Sequence, residues 1–215
     1  MMKRVLYIVL FTLLIIEAKA AKMDSLTNNS KLFVTVGINQ NTLLNNSLFT
    51  QPIVGMEVGA NVLTHWQKGW HTDIGLQYIR KGSAREVIYT NSVNDKVGSY
   101  TENIYLHYIQ LPIVIKKYIP VHKNVNMALG IGVYNALLFS AWVNPQHSYL
   151  NHEQAKNYNT YDFGLTGSFG VVYKNEIGVQ IRYEQGLLNV SQNNGGINNT
   201  FALSLFFNLN KLKNL

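Results

Sequence analysis

Apolar and polar residues alternate with period two through eight stretches of this chain. In the first, Lys31 to Asn39, Leu32, Val34, Val36 and Ile38 fall on one side and Lys31, Thr35, Gly37 and Asn39 on the other. The second, Ile53 to Trp66, sets Val54, Met56, Val58, Ala60 and Val62 against Gly55, Glu57, Gly59, Asn61 and His65. The third, Trp70 to Lys81, opposes Ile74, Leu76 and Tyr78 to His71, Asp73, Gly75, Gln77 and Lys81. In the fourth, near Ile104 to Tyr118, Ile109, Leu111, Ile113 and Ile115 face away from Tyr108, Gln110, Pro112 and Lys116; Pro112 lacks a ladder donor and predicts a bulge or bend. The fifth, Val125 to Val143, has Met127, Leu129, Ile131 and Val133 opposite Gly130, Gly132, Tyr134 and Ser140. The last three repeat the pattern, with Asp162 to Gly170, Gly178 to Gly186 and Ala202 to Asn208 supplying the small and polar side. Strands with one face in apolar surroundings produce this period.

The connections between these stretches sort by length. Residues 40–51, 82–103, 144–160 and 189–198 form long polar links, whereas residues 67–69, 119–124 and 173–175 are tight turns. A soluble sandwich has no reason to sort its loops by end, and a soluble barrel would place its apolar residues inside. The prediction is therefore all-β: an eight-stranded antiparallel up-and-down transmembrane β-barrel with short periplasmic turns and long extracellular loops. Unpaired backbone groups have no partner in hydrocarbon, so the first strand must close on the eighth. Trp66, Trp70, Tyr118 and Tyr173 cluster at the turn end and Tyr105, Trp142, Tyr161 and Phe201 at the loop end, as headgroup-level aromatics do.

Residues 1–20 carry a second signal. Lys3 and Arg4 precede an apolar run from Val5 to Ile16, and Ala18-Lys19-Ala20 has the small-x-small form of a cleavage site. The run is shorter than a helix needs to cross ~30 Å of hydrocarbon. A cleavable signal peptide over residues 1–20 and a barrel domain over residues 21–215 are expected, exported to the cell outer membrane. No cysteine is present, so neither a lipid anchor nor disulfides enter the picture. With 13% charged and 47% hydrophobic residues the chain would make an unusual soluble surface, which a lipid-facing wall explains. The net charge of +7 is spread without basic runs, which argues against nucleic acid as a partner.

Within the barrel, Glu57, Asp73, Lys116, Arg182 and Glu184 are charged residues on the inward side. Eight strands leave room only for side chains to fill the lumen, so these groups should neutralise one another, and little ion conductance is expected. His65 and His71 fall opposite each other across the first tight turn, but two ligands do not complete a metal site, and no metal or cofactor is expected. His107, His147 and His152, with Ser148 and Glu153, lie near the loop end and match no nucleophile motif, so no catalytic residue is assigned.

Tyr108-Ile109-Gln110-Leu111-Pro112-Ile113-Val114-Ile115-Lys116 resembles the aromatic, proline and lysine strand of the PorT-like outer-membrane β-barrel proteins of Gram-negative bacteria. Gly130 to Leu138, Asp162-Phe163-Gly164-Leu165 and Arg182 to Leu187 extend that resemblance over nearly the whole mature chain, which departs from it in continuing past Phe207. With no nucleophile motif and with long polar links, a non-enzymatic envelope component is expected, in an interaction, assembly or structural role. Outer-membrane lipid, lipopolysaccharide, the barrel-assembly machinery and an envelope protein are the expected partners. A small porin-like transporter and an outer-membrane lipid-modifying enzyme are the alternatives. Arg85, Tyr89, Lys96 and Tyr100 in the second long link, and His147, Tyr149, His152 and Tyr158 in the third, are a mix suited to recognition.

Overall fold

The computed structural model describes residues 30–46, 49–91, 95–145, 152–153, 158–191 and 195–209. The expected signal at residues 1–20, and the side chains of His147, Ser148, Tyr149, His152 and Glu153, lie outside what is described.

The strands are β1 (Ser30–Asn46), β2 (Ile53–His65), β3 (Trp70–Thr90), β4 (Lys96–His122), β5 (Val125–Pro145), the two-residue β6 (His152–Glu153), β7 (Tyr161–Tyr173), β8 (Ile177–Ser191) and β9 (Gly195–Asn208). Each long strand pairs with its neighbour in sequence, and β1 pairs antiparallel with β9 from Phe33↔Asn208 to Asn46↔Gly195. The ring of eight long strands is thereby closed, with β6 added at Trp142 and Val143 of β5. Closure removes the two edges that hydrocarbon would leave unsatisfied.

Outside, the apolar residues of the alternation are bare: Ile131 is 75% exposed, Val54 65% and Ile38 60%, within a band that includes Leu76, Leu165, Val179 and Leu203. Lipid is the surrounding that makes such a surface stable.

Three of the four long links are shorter than the hydrophobic pattern predicts. β3 and β4 remain paired from Ser83↔Ile104 to Thr90↔Lys96, so most of residues 82–103 is a projecting ribbon and not a loop. β1 likewise continues to Asn46, and β8 and β9 meet again at Ser191↔Gly195. Above the hydrocarbon both faces of a strand can be polar, so alternation fades while the backbone ladder continues. Gly82 stands where β3 leaves the barrel; its φ of 142° and the Ile104 carbonyl, which a Cβ would meet at 1.9 Å, leave space only for glycine.

Pro112 causes no shift of register. The β3–β4 ladder skips the pairs at Gly75 and Leu76 and resumes unchanged from Ile74↔Ile113 to Gln77↔Gln110, with Gly75 leaving room for the proline ring. The bulge lies further along, where Tyr108↔Leu138 is followed by His107↔Ser140 and Phe139 is the extra residue. One inserted residue reverses the facing of all that follow. Ser140, expected inside, therefore stands on the outer side with Trp142, whose indole N–H donates to its hydroxyl at 2.6 Å, while Ala141 and Val143 are buried.

The lumen has three layers. Phe33, Leu63, Tyr118, Ala128, Val172 and Phe206 form an apolar plug at the turn end. Leu43, Phe49, Ile79, Leu106, Leu138 and Val190 belong to a larger one at the loop end, where Tyr158 packs against it and burial raises the Tyr158 hydroxyl to about 12. Between the plugs lies a belt of charged and amide side chains.

Candidate functional site: the lumenal charge belt and its two ends

The belt exists because inward positions of neighbouring strands fall level with one another. Arg182 on β8 reaches across the lumen to the Glu57 carboxylate on β2, and its Nε lies 3.1 Å from Glu184 Oε1. Its remaining nitrogen donates to Gln77 Oε1 at 3.0 Å, and Ser204 donates to Glu57 from β9. Lys116 on β4 pairs with Asp73 on β3 at 2.7 Å and donates to Gln180 Oε1 at 2.8 Å. The five charged residues read from the alternation are thus all buried, and they meet in one network spanning β2, β3, β4 and β8.

Two further charged residues complete it. Lys81 lies 3.1 Å from Glu184 Oε2 and 3.7 Å from Asp162 Oδ2, over the ring of Tyr134 at 4.0 Å. Asp162 accepts hydrogen bonds from the Tyr134 hydroxyl at 3.1 Å and from Asn198 at 2.9 Å. Both residues lie on the inward side of the sequence pattern, but nothing in spacing alone shows that β3 and β7 bring them together across the lumen. Buried ions need partners and hydrogen bonds together, and this arrangement supplies both.

One cavity lies within the lumen. It has a volume of about 30 Å³ and lies between the belt and the lower plug, lined by Asp73, Gln77, Lys116, Arg182, Leu63 and Phe206 among others, with room for about two waters. Around it the inward side chains of the belt and of the two apolar clusters pack against one another.

The interface aromatics divide. Trp66, Trp70, Tyr173 and Trp142 are exposed on the outer wall, and Tyr161 is half-buried there, donating to Asn135. Tyr118, expected at headgroup level, is instead buried in the lower plug, with its ring 4.3 Å from that of His71. At the loop end His107 points outward, sharing a 2.8 Å hydrogen bond with the Tyr78 hydroxyl and lying 6.0 Å from the Phe139 ring. It is therefore separated from the lumenal carboxylates by the barrel wall.

At the turn end His65 and His71 are paired residues of β2 and β3, and their rings meet. His65 Nδ1 lies 3.2 Å from His71 Nε2, and His71 Nδ1 lies 3.1 Å from the Gly69 carbonyl oxygen. The turn that brings them together holds Lys68 and Gly69 at positive φ. Among the described residues no group of three or more metal-ligating side chains occurs.

A family model described as outer membrane protein beta-barrel domain matches residues 22–192. Among solved structures the chain is similar to Neisserial surface protein A, at 12% identity and a TM-score of 0.49, covering 83% of this chain and 97% of that one. It is similar also to Ail, the attachment invasion locus protein of Yersinia pestis in complex with the heparin analogue sucrose octasulfate, at 10% identity, TM-score 0.43, and coverage of 84% and 99%. A third likeness is to the outer membrane protein OprG of Pseudomonas aeruginosa, at 9% identity, TM-score 0.40, and coverage of 84% and 94%. No curated protein matches.

Proposed function

The chain belongs to the outer membrane protein beta-barrel domain family and resides in the cell outer membrane, and from that premise we propose that it is a non-enzymatic envelope component of the PorT-like kind, acting in an interaction or assembly role through the wall it raises above the membrane. One observation carries this reading: a buried apolar cluster packs at each end of a paired charge belt, while the β3–β4 ribbon projects beyond it. A filled lumen supports scaffolding over transport. The ribbon carries recognition chemistry, with Tyr89 stacked on Tyr100 at 5.2 Å and Arg85 over the Phe49 ring at 4.7 Å. Lipid and lipopolysaccharide surround the wall, the barrel-assembly machinery inserts it, and an envelope protein is the partner the ribbon would engage.

The test is a mild-detergent pull-down of the tagged protein from outer membranes, beside a form in which residues 84–102 are replaced by a short Gly/Ser turn. An envelope partner held by the first and lost by the second, with both showing a heat-modifiable band, is the expected result. A lone barrel in both cases would move the reading to a purely structural role. In a planar bilayer the pure protein should be silent, and discrete nanosiemens steps would favour transport instead.

A further inference from the structure

The two histidines at the turn end carry an inference independent of the ribbon. We infer that His65 and His71 form a two-imidazole chelate for a divalent late transition-metal ion at the periplasmic mouth of the barrel. The spacing is the first reason. Two nitrogens each about 2.05 Å from one ion lie about 3.2 Å apart when the angle between them is about 100°, close to tetrahedral. His65 Nδ1 and His71 Nε2 are 3.2 Å apart. Rings bound at that angle would have centroids about 5 Å apart, and these stand 4.7 Å apart with planes inclined at 53°.

The second reason is the tautomer. A carbonyl oxygen only accepts, so the 3.1 Å contact to Gly69 makes His71 Nδ1 the donor and leaves its Nε2 with a free lone pair. A ligating imidazole commonly donates its other N–H to a backbone carbonyl in this way, which fixes ring orientation before the ion arrives. The Tyr118 ring against His71 restrains it further. In the ion-free pair His65 donates its Nδ1 proton to His71; on binding, that proton moves to His65 Nε2 and Nδ1 becomes the second ligand. The site is half-buried, so water completes the coordination shell. Lys31 and Lys116 act on His71 electrostatically and oppose a cation there. That repulsion is the same for every divalent ion, so Cu²⁺, at the head of the divalent affinity series, is the ion best able to bind in spite of it, with its N–Cu–N angle opened beyond the square-planar value. The bound ion would clasp β2 to β3 beside their tight turn.

The experiment titrates Cu²⁺ into the full chain in detergent, with calorimetry for stoichiometry and electron paramagnetic resonance for the ligands. One ion with coupling to two nitrogens is expected, with His65→Gln and His71→Gln each weakening binding by about tenfold or more. His107→Gln, His122→Gln and the His147→Gln/His152→Gln pair should leave that site unchanged, and the heat-modifiable band reports folding throughout. If a histidine variant fails to fold, diethylpyrocarbonate modification of the unaltered protein decides: Cu²⁺ should protect His65 and His71 together. Equal binding by the double variant, a one-nitrogen spectrum, or no protection would overturn the inference.

Discussion

Two sets of ion pairs in this molecule use the same residue types and differ in almost everything else. In the lumen, Arg182, Lys81 and Lys116 meet Glu57, Glu184, Asp162 and Asp73 with side chains at most 9% exposed. On the ribbon, Lys96 meets Glu86 at 3.2 Å with side chains 55% and 43% exposed. Water screens the second pair and compensates either partner for the loss of the other. No such exchange is open to the first set, where each charge was desolvated when the barrel closed. The lesson is that removal of one partner, rather than formation of the pair, measures the difference.

The sharpest break should come from Arg182→Ala. It leaves Glu57 and Glu184 buried without the guanidinium that both face, a situation that costs about 4 kcal/mol. Urea unfolding in lipid vesicles, read by the heat-modifiable band, should show the midpoint fall. An unchanged midpoint would mean that water enters the belt and that the lumen is not sealed. Phe206→Ala tests the seal from below. Its ring packs edge-on against Phe33 with centroids 5.6 Å apart, and its loss should cost about 3 kcal/mol by cavity formation. It also enlarges the cavity beneath Arg182, so the same variant is the one in which weak conductance should first be seen.

Lys81→Met comes next, at about 2 kcal/mol. Its smaller effect follows from what remains: Glu184 keeps Arg182 and the 2.6 Å hydrogen bond from Gln110, and Asp162 keeps Tyr134 and Asn198. A loss as large as that of Arg182→Ala would show that Lys81, and not Arg182, is the centre of the belt.

The same contrast explains what could be read before folding. On the membrane band each outward position meets lipid and must be apolar, so Ile177, Val179 and Ile181 betray the outer face one by one. The charged inward residues were legible for the complementary reason, since Glu57 or Arg182 could stand nowhere else. The plugs were not. Phe33, Leu63, Val172 and Phe206 are inward, yet each adjoins an outward apolar residue, as in Leu32-Phe33, Val62-Leu63, Val171-Val172 and Phe206-Phe207. A doubled apolar position in an alternating strand is the signal that marks them, and an alternation that counts only outward residues passes over it. The ribbon was hidden because water on both faces erases the period, and the facing of Ser140 because one inserted residue cannot be seen in composition. Long-range partners such as Lys81 and Asp162 depend on ring closure, which brings β3 and β7 across the lumen from one another.

The smallest effect belongs to the ribbon, and it completes the comparison. The Glu86 carboxyl is held below the ordinary carboxylate range by a hydrogen bond from Ser99 and then by Lys96. Because its folded value is depressed, whatever it contributes is present at neutral pH and disappears as the pH falls through that lowered value. Lys96→Ala should leave the urea midpoint of the barrel unchanged, because a solvent-exposed pair is screened and the ribbon stands above the hydrocarbon. What should change is local: in an NMR titration of the ribbon, the Glu86 midpoint should rise partway toward the ordinary value, with the Ser99 hydrogen bond holding the rest. A global loss of stability from this exposed substitution would mean that the ribbon and the lumen unfold as one unit, and the division between screened and sealed ion pairs would fail.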